Sequence, residues 1–235
     1  MRMISLLLAA ALCGSLPASA AVPDPRQPGL SATERLEALV ERVKLEQDRL
    51  KTLEARFLQR QDSEFFVAQE VSRGVFSFAA PDRVRWEYES PRPITLVIDG
   101  KQMTTWYRDL DRVDVMKVGR YSERVLRYLG AGGSMETLLE YFDVQAAFPK
   151  DPASPYRLEL TPRFARVAKK LRALTIWVDA RRFLPSRLRY VGGDGGTTEY
   201  TFEGVVINGE LPADRFKLAL PAGVEVRVVD LDRAP

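Results

Sequence analysis

The stretch GVFSFAAPDRVRWEYESPRPITLVIDG, residues 74–100, decides the fold. Its apolar residues recur every second position. Phe76 and Phe78 alternate with Val75 and Ser77, and Val84, Trp86 and Tyr88 alternate with Arg83, Arg85, Glu87 and Glu89. A period of two is that of a strand with one face buried. Ile94, Leu96 and Ile98 continue it and stop at Asp99-Gly100, a two-residue hairpin signal. Residues 102–107 read as the return strand, Asp109–Asp111 as a turn, and Val113–Val118 as the next strand.

Working outward, the same period recurs at Tyr156–Leu160, Leu174–Val178, Leu188–Tyr190, Thr198–Phe202, Phe216–Leu220 and Val224–Val228. Upstream the period is helical. Ser31 and Glu34 form a capping box, and Leu36, Leu39, Val40, Val43, Leu50, Leu53 and Phe57 predict one long amphipathic helix. Two short central helices are predicted: Ser122–Leu129, ended by Gly130–Gly133, and a second from Ser134 through Leu138 and Leu139 to about Phe142. About ten to eleven strands joined mostly by short turns predict a large antiparallel sheet, which curls because strands twist. The expectation is a mainly β, strongly curved, half-open sheet with helices on its concave side.

The N-terminus reads as a cleaved secretory signal. Arg2 precedes an apolar run from Ile4 to Leu12, and Ala18-Ser19-Ala20 supplies a small-x-small cleavage site. The run is shorter than the roughly 20 residues a bilayer span needs. Residues 1–20 are therefore expected to be a signal peptide, 21–30 a flexible leader, and 31–235 a single domain. Cys13, the one cysteine, would leave with the signal, and the chain has no histidine. Thiol chemistry, disulfides, histidine-based zinc sites and Ser-His-Asp triads are excluded. The net charge of +3 falls to +2 without Arg2, and the charges are interspersed, which argues against nucleic acid.

Candidate chemistry is sparse. Glu87 and Glu89 share a strand face with Arg83 and Arg85; they read as ion pairs on a solvated face, and as a hydrolytic carboxylate pair only secondarily. The glycines at 130–133 lack the lysine of a phosphate loop, and Asp194 among glycines lacks calcium-loop spacing. Val84, Trp86, Tyr88, Leu96, Ile98 and Trp106 fit either the lining of an apolar cavity or a packed core. No metal and no cofactor is called for.

Several motifs, in order, resemble the LolA family of periplasmic lipoprotein carriers. They are Phe57-Leu58-Gln59, then Gly74, Pro81-Asp82, Val84-Arg85-Trp86-Glu87-Tyr88 and Pro91 or Pro93. Leu96–Lys101, Trp106-Tyr107 and the closing Phe216–Val224 follow. The resemblance implies a half-open β-barrel with a helical lid and an apolar interior. Val84 and Trp86 would line that interior and Leu138 and Leu139 the lid, while Phe142, at the end of the second central helix, is a further candidate for contact with an apolar ligand. It implies acylated lipoproteins as cargo, an inner-membrane ABC transporter as donor and an outer-membrane lipoprotein receptor as acceptor, with the carrier a periplasmic monomer. Where the family carries a lid-holding arginine, this chain has Ala80, which leaves Arg83 or Arg85 as lid contacts. A lipid-binding sensor on the same fold is the alternative.

Overall fold

A computed structural model describes residues 22–62, 68–100, 102–117 and 140–229. Helix α1 (Ala32–Asp48) leads into β1 (Thr52–Asp62), β2 (Glu70–Ala79), β3 (Arg83–Ser90), β4 (Ile94–Asp99), β5 (Gln102–Tyr107) and β6 (Arg112–Lys117). After the undescribed stretch come β7 (Phe142–Ala147), β8 (Tyr156–Pro162), the short helix α2 (Ala165–Ala168), β9 (Leu171–Val178), β10 (Pro185–Gly192), β11 (Thr197–Ile207) and β12 (Glu225–Val229). All twelve strands form one open sheet, in the order β12-β6-β5-β4-β3-β2-β1-β11-β10-β9-β8-β7. The expected curved, mainly β architecture is the one observed. It departs from the expectation at one edge, where β12 runs parallel to β6.

Alternation sorts the strands into two faces. The inner face carries two apolar clusters. One packs Leu39, Val40 and Val43 of α1 on Phe142, Tyr156, Leu158, Leu160, Leu174, Ile176 and Val178 of β7–β9. The other gathers Phe57, Phe76, Phe78, Val84, Trp86 and Ile98 from β1–β4, with Leu50 and Leu184. Helix α1 thus covers only the β7–β10 half. Gly74 allows the second cluster to close. A Cβ there would collide with the Glu87 carbonyl and stand 2.8 Å from the Phe57 ring.

The predicted helix is too long. It stops at Asp48, and Leu53, Ala55 and Phe57 belong to β1. The stop comes from far along the chain. Asn208, at φ 54°, accepts the Lys51 and Thr52 amides on Oδ1 at 2.7 and 3.3 Å and donates from Nδ2 to the Arg49 carbonyl at 3.1 Å. The Arg49 carbonyl would otherwise be one of the unpaired carbonyls of the helix end.

Residues 216–220 are not a strand either. The segment from Gly209 to Leu220 crosses the outer face of β1–β4, where Phe216 packs with Ala79, Val97, Leu211 and Leu218. The crossing carries the chain from β11 to the far edge and makes the β12–β6 pair parallel. Two residues of the stretch before Ser31 make contacts with the rest of the fold. Pro25 is fully buried, and the Arg26 guanidinium lies 4.5 Å over the Tyr156 ring and donates to the Ser154 carbonyl at 3.3 Å.

Candidate functional site

The inner face of β1–β4 is an aromatic surface. Trp86 stands at its centre, with ring centroids 4.9 Å from Phe57, 4.8 Å from Phe76 and 5.2 Å from Tyr200. Phe202 lies 6.0 Å away. The arrangement follows from register: Phe76 pairs with Trp86, Trp86 with Leu96, and Val84 with Ile98, and cross-strand partners share a face. The Tyr88 and Tyr200 hydroxyls meet at 3.4 Å in this apolar setting. Burial pushes both phenols upward from the usual tyrosine value, Tyr200 far above it. They stay neutral and offer hydroxyls, not charge, to whatever contacts the face.

Beside this surface lies a cavity of ≈ 100 Å³ lined by Leu50, Leu53, Phe76, Phe78, Leu184 and Phe202 among others. A pocket that takes a small organic ligand encloses about 300–1,000 Å³. The cavity is smaller than that. A second opening of ≈ 470 Å³ runs between α1 and edge strand β7, lined by Leu36, Val40, Phe142 and Val144 and bordered by Glu37 and Arg163.

The candidates named from sequence divide. Val84, Trp86 and Ile98 are buried, with Tyr88 and Leu96 half-buried against them, all on the inner face. As placed, they are packed core next to the cavity. Trp106 is a correction. It pairs with Thr95, one residue out of phase with Leu96, and so points to the outer face, where the Arg108 guanidinium lies 4.9 Å over its ring. Phe142 is the first residue of β7, fully buried in the cluster beneath α1. Leu138 and Leu139, and both predicted central helices apart from residues 140 and 141, lie outside the described residues.

Arg83 and Arg85 also point outward; the lid they were expected to contact lies outside the described residues. Arg83 lies 5.1 Å over the Phe216 ring. Arg85 donates to Glu87 at 2.9 Å and to the carbonyls of Arg215 and Lys217 at 3.3 and 3.4 Å. Both arginines hold the crossing segment. Glu87 is further paired with Arg108 at 3.1 Å and Arg215 at 3.6 Å. The hydrogen bond from Arg85, with help from Arg108, holds its carboxyl below the usual glutamate range against the opposing effect of burial. Glu89 pairs with Arg56 at 2.9 Å. These are the ion pairs of the first reading, and an ionised, saturated Glu87 is a poor proton donor.

Sequence reasoning missed the contributions of Phe57, Leu50 and Leu184. Phe57 was absorbed into the helix, although Leu53, Ala55 and Phe57 also alternate as a strand. Nothing local signals Leu184, which reaches the cluster from the β9–β10 turn.

Against this geometry the known proteins are informative. The family model for outer membrane lipoprotein carrier protein LolA matches residues 48–219. An outer-membrane lipoprotein carrier protein of Alkalilimnicola ehrlichii is 30% identical over 76% of this chain and 78% of its own length. One from Pseudomonas syringae is 26% identical over 96% of this chain and 99% of its own length. An uncharacterized conserved protein of Thermus thermophilus shares the fold with a TM-score of 0.53 at 10% identity, covering 83% of this chain and 99% of that one. The family match spans well over half of the residues, from the end of α1 through the outer crossing, and the chain belongs to the LolA family of outer membrane lipoprotein carrier proteins.

Proposed function

We propose that the protein is a periplasmic carrier that binds the acyl chains of lipoproteins against its inner face and moves them from the inner to the outer membrane without covalent chemistry. The observation that carries this reading is the aromatic inner surface around Trp86, left outside the cover of α1 and adjoining an apolar cavity. An acyl chain costs about 0.8 kcal/mol per CH₂ to hold in water, so transit of a lipoprotein needs such a surface. Catalysis is not required. An ABC transporter of the inner membrane would load the carrier, a lipoprotein receptor of the outer membrane would unload it, and the carrier would work as a monomer. Val84, Trp86, Tyr88, Leu96 and Ile98 would meet the chains once the packing opens, with Leu138 and Leu139 covering them.

The test is release of lipoproteins from spheroplasts by added purified protein. Soluble lipoprotein in a stable complex is the expected result. Trp86→Glu, or Leu53→Gln at the cavity wall if the first variant fails to fold, should abolish release. A folded wild-type chain that releases nothing while the transporter is active would instead favour a lipid-binding sensor.

A further inference from the structure

The turn between β8 and β9 carries a charge pattern unlike the rest of the molecule. Residues 163–172, RFARVAKKLR, hold five cations and no carboxylate. Without these five the net charge of +3 would be −2, so this one turn accounts for the positive balance of the whole chain. Arg163, Phe164, Arg166, Lys169, Lys170 and Arg172 are all exposed. Two of the cations are engaged: Arg163 pairs with Asp143 at 2.8 Å, and Arg172 donates to the Gly193 carbonyl. Arg166, Lys169 and Lys170 make no ion pair among the described residues. Phe164 stands 45% exposed in their midst, with one ring edge against Tyr141 at 6.0 Å.

The turn is held, not loose. Val167 packs against the cluster beneath α1, and the Gly193 amide donates to the Lys170 carbonyl at 3.0 Å. Anchoring Val167 and Leu171 inward presents the cations outward together with Phe164. Elsewhere on the sheet several strand arginines pair with carboxylates, as Arg85 does with Glu87, Arg157 with Glu159 and Arg187 with Glu199. Here the carboxylates are missing and an aromatic ring is spent on solvent. That combination suits an anionic lipid surface: cations meet the phosphates while an aromatic ring enters the headgroup region. A folded acidic protein surface would match the cations but gives no reason for the exposed ring.

We propose that the β8–β9 turn docks the protein on anionic phospholipid bilayers, through Arg166, Lys169, Lys170 and Phe164. Arg163 also borders the ≈ 470 Å³ opening between α1 and β7, so docking brings that opening to the lipid surface. The inference stands apart from the cargo reading, because it needs neither lipoprotein nor transporter.

The test is co-sedimentation of the purified protein with vesicles of phosphatidylcholine alone and with vesicles that also contain phosphatidylglycerol. Binding should appear only with the anionic vesicles and fade at high salt. Each cation near a charged bilayer contributes roughly fivefold to binding, so the triple change Arg166→Gln/Lys169→Gln/Lys170→Gln should weaken it by about 100-fold. Phe164→Ala should weaken it several-fold without changing the salt dependence. The control is Lys51→Gln/Lys150→Gln/Arg181→Gln. It removes the same charge from exposed residues at the opposite end of the strands, and should leave binding intact. All of these positions are exposed, and unchanged circular dichroism confirms the fold. Absence of binding to anionic vesicles overturns the proposal. So does an equal loss in the control triple, which would mean net charge alone. Loss of release activity in the Arg166 triple without any vesicle binding would also overturn it and point to an acidic protein partner.

Discussion

Glu87 receives three guanidinium groups on the outer face, from Arg85, Arg108 and Arg215, and the last of these belongs to the crossing segment. Arg215 also reaches Glu54 at 3.1 Å and donates to the buried Ser77 hydroxyl at 2.9 Å. The carboxylate therefore ties β3 to a stretch that has no strand partner. Its pKa is lowered from the ordinary 4.5, with the Arg85 hydrogen bond as the main cause. A depressed carboxyl contributes its stabilisation above the unfolded value and loses it as pH falls through the folded one. Glu87→Gln should thus cost about 1–2 kcal/mol in urea unfolding at pH 7, given the partial exposure of the network. The gap between wild type and variant should shrink steadily below pH 4.5. A constant gap across that range would mean the glutamine disturbs packing rather than charge. The sequence made the pairing of Glu87 with arginines legible, since alternation put Arg85 and Glu87 on one face. It could not show Arg215, whose contact depends on a crossing that no local pattern announces.

At the scale of elements, the signals that were readable were those carried by neighbours in sequence. The capping box is one: the Glu34 amide reaches the Ser31 hydroxyl at 3.3 Å, and the Ser31 amide reaches Glu34 at 2.8 Å. The Asp99-Gly100 hairpin is another, with Asp99 pairing to Gln102. Where the structure departs from the pattern, the cause is distant. Asn208 ends α1 from across the sheet, so the period of Leu50, Leu53 and Phe57 looked helical with no stop signal near it. Phe216 and Leu218 alternate because a segment lying on a sheet buries alternate side chains, whether or not it joins the ladder, and Leu220 beyond them is exposed. Trp106 needed the β4–β5 register, and a slip of one residue exchanges the faces. The cap itself makes a prediction. Helix α1 packs over the β7–β10 half, and Ser31→Ala should destabilise the protein by about 1 kcal/mol. Hydrogen exchange should quicken in the first turns of α1 and under it in β8 and β9, while β3 amides, in the other cluster, keep their protection. Uniform acceleration through β3 would show that the two clusters open as one unit.

For the whole molecule, the proposed carrier role asks how a sheet with two differently covered halves would take up a chain larger than its cavity. The half beneath α1 is covered by Leu39, Val40 and Val43, and in the half around Trp86 the described residues that pack together are its own aromatic side chains with Leu50 and Leu184 at the junction. Opening the second half would cost packing that a bound acyl chain would have to replace, and a ligand shifts such an equilibrium only by what it gains in the open state. The three tryptophans make this measurable, since they divide between the faces. Trp86 is central to the inner cluster, whereas Trp106 lies under Arg108 and Trp177 lies 3.7 Å from the Arg187 guanidinium on the outer face. A Trp106→Phe/Trp177→Phe double variant leaves Trp86 as the reporter, and Trp86→Phe leaves the outer pair. Titration with a long-chain acyl ligand should shift the emission of the first and leave the second nearly unchanged. A shift confined to the outer pair would place the ligand on the convex side, and the inner aromatic face would then be core and nothing more.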